Sequence, residues 1–70
     1  MTTKTVNFIK EALLYNHMIE ETDRIKCEIE SSGYQFLGVM VAVIKKGKRR
    51  PYDFHHIELD TFRNQVTIIV

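Results

Sequence analysis

The sixteen residues from Asp23 to Gly38, DRIKCEIESSGYQFLG, decide the fold. Within them Arg24-Ile25-Lys26-Cys27-Glu28-Ile29-Glu30 alternates polar and apolar for seven residues. On a helix two residues turn through about 200°, which would scatter Ile25, Cys27 and Ile29 over a wide arc. On a strand all three share one face and the four charged residues share the other. The competing reading continues an upstream helix to Glu30 and uses Gly33 as its C′ residue. The strict alternation favours the strand. Ser31-Ser32-Gly33 then supplies a turn, with Gly33 free to take a positive φ. Residues 24–30 are the first arm of a hairpin.

Downstream, YQFLGVMVAVI (34–44) is apolar on both faces, as expected of a central strand buried on both sides. Gly38 in its middle would let the strand bend, as strands do in small barrels. Lys45-Lys46-Gly47-Lys48 reads as a turn with Gly47 at its apex. Pro51 has no N–H for a ladder and marks an edge or the start of a strand. YDFHHIEL (52–59) and QVTIIV (65–70) read as two more strands, joined by a tight connection around Asp60 to Asn64. Upstream, TVNFIKEALLYNHMIEE (5–21) places Phe8, Ala12, Tyr15 and Ile19 on one face of a helix, with Ile9, Leu13 and Leu14 widening the apolar arc and Thr5 or Asn7 as N-cap. One domain over residues 1–70 results, mainly β with an N-terminal α-helix. Its helix spans about 5–21 and its strands about 24–30, 34–45, 51–59 and 65–70. Strands this apolar suggest a small, strongly bent antiparallel sheet or open barrel.

Seventy residues bury only about 60% of the unfolded surface, so self-association is the expected route to stability. The uncharged C-terminal strand is the edge expected to pair with another copy. Cys27 is the sole cysteine, which excludes an internal disulfide and fits a reducing cytoplasm. The longest apolar run, Leu37 to Ile44, is far short of the roughly 20 residues of a membrane span. Net charge is +1, but residues 1–33 sum to −2 and residues 34–70 to +3, with five of the latter's six cations in Lys45–Arg50.

The spacing of Gly33, Phe36, Gly38 and Met40 after an alternating strand resembles the first signature of Sm-like RNA-binding proteins. In that motif a turn glycine is followed by an apolar or aromatic residue, a second glycine and another apolar residue at these intervals. The acidic residue usual after the second strand is replaced by Ile44-Lys45. For the second signature, Arg63-Asn64 is a partial match, while Phe54-His55-His56-Ile57 is similar to the host-factor branch of the family. The resemblance implies a five-stranded barrel, subunits joined edge to edge into a hexameric or heptameric ring, and single-stranded RNA bound at a pore or face.

Read by residue chemistry, Lys45, Lys46, Lys48, Arg49 and Arg50 form a basic turn able to neutralise phosphates. The alternative is a charged turn that keeps a sheet soluble. Tyr52 beside Arg50 is the better candidate for base stacking, whereas Phe36 and Phe54 are expected in the core. His55 and His56 point to opposite faces of a strand, so one ion cannot take both. One of them could contact phosphate or a base; Arg63 and Asn64 join the candidate set only as what the resemblance implies. No zinc spacing, phosphate-cradling glycine loop or oriented Cys–His pair is present. Neither a cofactor nor an enzymatic activity is expected. A small protein-interaction or inhibitor module that grips one partner by a strand edge is the competing functional class.

Overall fold

In the computed structural model, which describes residues 1–69, the alternating segment is strand β1, Arg24–Ser32. It pairs antiparallel with β2, Phe36–Ile44, in a register that sets Ile25, Cys27 and Ile29 opposite Val43, Val41 and Val39. β3, Asp53–Asp60, pairs with β2, and β4, Gln65–Ile69, pairs with β3. The sheet order is therefore β1-β2-β3-β4, a simple meander. The continuous helix that would have reached Glu30 is absent. Val70, the last residue assigned to the C-terminal strand, lies outside the described residues.

Helix α1, Thr3–Tyr15, is shorter than expected at its end and begins earlier. Its N-cap is Thr2, whose Oγ1 accepts from the Thr5 N–H, and not Thr5 or Asn7. Asn16 caps the far end. The His17 N–H donates to Leu14 O and the Met18 N–H to Leu13 O, the paired bonds of a Schellman turn. His17 takes φ +57°, a left-handed conformation usually given to glycine, so no glycine marks the stop. The docked stripe also differs from the expected one. Ile9 and Leu13 are fully buried, whereas Tyr15 is 86% exposed. Ile19 is buried too, but from the loop after the helix.

The core lies between α1 and one sheet face: Ile9 and Leu13 pack with Val39, Val41, Val43 and Ile57. Ile25, Cys27, Leu37, Val66 and Ile68 close its margins. Of these, Ile25 and Cys27 follow the alternation read from residues 24–30. β2 is central, but it is not buried on both sides. Its other face carries Phe36, Met40 and Ile44, no element covers it, and Ala42 alone among those positions is buried. Phe36 and Phe54, expected in the core, are 45% and 51% exposed on this open face. The reason is register: both sit one residue out of phase with Val39, Val41 and Ile57.

The sheet is not closed. Among the described residues β1 and β4 are both edges, and the strands number four. Gly33 does not need a positive φ. Its N–H donates to Phe36 O at 2.9 Å, and a Cβ there would stand 3.1 Å from that oxygen. The irregularity near Gly38 is a bulge on the partner strand between Ile29 and Ser31, where Glu30 is the extra residue. The Ser31 hydroxyl occupies the space that a Gly38 side chain would need.

Candidate nucleic-acid interface

The β2–β3 connection is ordered by three backbone or side-chain bonds. The Lys48 N–H donates to Lys45 O, closing a turn in which Gly47 takes φ +79°. The Tyr52 N–H donates to Val43 O at 2.8 Å and fastens the end of the loop to β2. From β1, Nη2 of Arg24 donates to Lys48 O at 2.8 Å. The loop therefore stands at one end of the sheet in a defined shape. Lys46, Lys48, Arg49 and Arg50 are all exposed on it.

Lys45 is used differently from its neighbours. Its Nζ lies 3.2 Å from Oδ2 of Asp23 and 3.6 Å from Oε2 of Glu20. It also sits 4.7 Å from the centroid of the Tyr52 ring. Asp23 is buried, and its Oδ2 also accepts from the Glu20 N–H. That backbone bond and the Lys45 ammonium hold the Asp23 carboxyl below its ordinary pKa despite its burial. The same contact raises the Lys45 pKa. Lys45 is thus part of the fold's own electrostatics, whereas the other four cations of the turn meet no carboxylate among the described residues.

Tyr52 is 61% exposed, with one ring face toward Lys45. Phe54 follows on the open face, two residues along β3. His55 and His56 point to opposite faces, as adjacent strand residues must. His55 faces the helix side, its Nε2 buried without a hydrogen-bond partner and 3.5 Å from Oδ2 of Asp53. His56 lies on the open face with Nδ1 2.7 Å from Oε1 of Glu30, a contact that reaches from β3 to β1 across β2.

Arg63 and Asn64 are not brought to this end. They belong to the β3–β4 turn, and the eight residues of β3 separate the two ends by about 25 Å. Asp60 organises that turn. It accepts from the Phe62 and Arg63 N–H groups and from the Gln35 amide, and lies 4.0 Å from Nε of Arg63. Burial opposes the Asp60 charge, but the Arg63 N–H, the Gln35 amide and the Phe62 N–H outweigh it and keep its pKa below the ordinary value. Asn64 takes φ +52° to finish the hairpin. Of the ten candidates, six therefore gather at the basic loop: Lys45, Lys46, Lys48, Arg49, Arg50 and Tyr52.

Sequence reasoning missed Arg24 as the clamp on the loop, and Phe54 as an exposed ring. The register of β1 held the signal for Arg24, since it is the first outward residue opposite Ile44. Cys27 is half-buried with its thiol pKa raised by burial, which makes it a poor nucleophile at neutral pH. No cluster of three metal-ligating side chains occurs among the described residues. None of their helices is long and apolar enough to cross a membrane. A cleft of about 560 Å³ opens between the first turns of α1 and the sheet end away from the basic loop, with Phe8, Ile29, Leu37 and Leu59 among its walls. No protein-family model matches the chain, and no curated protein or solved structure is significantly similar to it.

Proposed function

We propose that the basic β2–β3 loop binds single-stranded RNA, the ligand class implied by the Sm-like resemblance. One observation carries this reading: Lys46, Lys48, Arg49 and Arg50 are exposed on an ordered turn with no carboxylate partner among the described residues, beside the exposed rings of Tyr52 and Phe54. A solubilising turn has no need of two adjacent rings, whereas a single strand uses both kinds of group. The cations take phosphates and release counterions, and the rings stack bases at about 1–3 kcal/mol each. Lys45 keeps the loop in place instead of meeting phosphate. His56 offers a further polar group on the open face once Glu30 is exchanged for a ligand.

Fluorescence anisotropy with labelled oligo-U and oligo-A RNA over a salt series tests this. Four phosphate contacts to a single strand give log K against log salt a slope of about −3. Replacing Lys46, Lys48, Arg49 and Arg50 together by Gln should abolish most of that slope and leave the fold intact. A parallel single-stranded DNA series separates RNA from general single-strand binding. No binding, or binding indifferent to salt, overturns the reading.

A further inference from the structure

The uncovered face of the sheet is polar in a directional sense. Along β1 its outward residues are Arg24, Lys26, Glu28 and Glu30, two cations followed by two anions. On β3 the acidic half continues as Glu58, placed opposite Gly38, the residue that faces the Ser31 end of β1. Apolar side chains share the rows of Lys26 and Glu28, Phe54 beyond Ala42 in the first and Met40 and Ile69 in the second, the last 53% exposed. Arg24, Lys26, Glu28 and Glu58 make no ion pair among the described residues. Apolar rows flanked on β1 by an unpaired cation and an unpaired anion in neighbouring positions, Lys26 and Glu28, are complementary to themselves.

We infer that this face binds a second copy of the chain, sheet against sheet, about a twofold axis that crosses the strands between the Lys26 and Glu28 rows. That operation reverses strand direction, so the cationic end of one copy lies over the anionic end of the other. Lys26 then meets Glu28 of the second copy, and the apolar side chains between them close between sheets about 10 Å apart. The twofold makes each contact twice, as an isologous interface requires.

The inference goes beyond RNA binding: the dimer covers Phe54 and leaves base stacking to Tyr52, and neither Lys26 nor Glu28 belongs to the basic loop. Failure of one reading therefore leaves the other standing.

Native mass spectrometry and sedimentation equilibrium of the full chain should show a dimer. Lys26→Glu alone and Glu28→Lys alone each place like charges in register and should weaken dimerisation about tenfold or more. The double variant Lys26→Glu/Glu28→Lys restores opposite charges across the twofold and should return the dissociation constant to within about threefold of the original. Both sites are exposed, so circular dichroism should show all three variants folded. A monomer at high concentration, a hexameric or heptameric ring, or a dimer indifferent to the single substitutions overturns the inference.

Discussion

Lys45 Nζ donates to Oδ2 of Asp23 across 22 residues of sequence, tying the loop before β1 to the end of β2. Asp23 is almost wholly buried and its Oδ1 has no partner, so its charge depends on Lys45 and the Glu20 N–H. Folding lowers the Asp23 pKa below its ordinary 3.8, so the folded chain holds fewer protons there than the unfolded one. The resulting stability is full above pH 3.8 and drains as pH falls through the folded value. For Lys45 the sign reverses: its pKa is raised above 10.5, so its contribution is full below that pH and lost as pH rises through the folded value. Asp23→Asn should lower Tm at neutral pH and flatten the acid limb of a Tm–pH profile taken from pH 7 to 2. Parallel acid limbs for the variant and the original chain would remove Asp23 from the account.

At the helix end, the backbone of His17 predicts a gain. A left-handed conformation costs a non-glycine residue about 1–2 kcal/mol, part of which glycine returns through its larger unfolded-state entropy. His17→Gly should therefore stabilise the chain by about 0.5–1 kcal/mol, read from urea denaturation. Asn64→Gly should gain less, because Asn tolerates that conformation better. A loss of stability in His17→Gly would mean that the imidazole makes a contribution larger than the strain.

What could be read from the sequence followed period. The strict alternation of residues 24–30 located β1, and turn residues located the ends of β2, β3 and β4 to within two or three positions. The helix was overextended because its stop is a backbone turn at His17, a residue type with no turn signature. Its docked stripe was misassigned since Phe8, Ala12, Tyr15 and Ile19 fit the helical period as well as Ile9 and Leu13 do. Placing Phe36 and Phe54 in the core treated apolar character as burial. Which face of β2 is covered depends on where α1 lands, and no local pattern records that. The basic loop was legible as composition, but the withdrawal of Lys45 into an ion pair with Asp23 is a long-range fact. Arg63 and Asn64 enter the candidate set as a partial match to the second Sm-like signature, and topology puts them at the opposite end of β3 from the loop.

Gly38 and Ser31 form a testable pair. A Cβ at position 38 would collide with the Ser31 hydroxyl but would stand 3.6 Å from the Ser31 Cβ, an ordinary contact. In Gly38→Ala the exposed hydroxyl must swing aside, which offsets the entropic gain of leaving glycine, and stability should change by less than about 0.5 kcal/mol. With Ser31→Ala already present, the same substitution should stabilise by about 0.5–1 kcal/mol. Urea midpoints of the four members of the cycle measure the difference. A large loss in both backgrounds would show that Gly38 serves backbone geometry, as the sequence had suggested, and not clearance for Ser31.

The docked face of α1 gives the last prediction. Leu13 is fully buried against the sheet and Tyr15, two residues on, is exposed. Truncating a buried leucine costs about 2–5 kcal/mol, because the lost transfer energy adds to that of the cavity left behind. A chain of this length has a total stability of about 4–10 kcal/mol, so Leu13→Ala should lose much of it and Ile9→Ala a similar share. Tyr15→Ala should stay within about 0.5 kcal/mol, as exposed substitutions do. Chemical denaturation of the three variants side by side decides which stripe holds the helix. If Tyr15→Ala proves the costlier change, α1 docks by the Phe8–Ala12–Tyr15 face, and the core built on Ile9 and Leu13 is wrong.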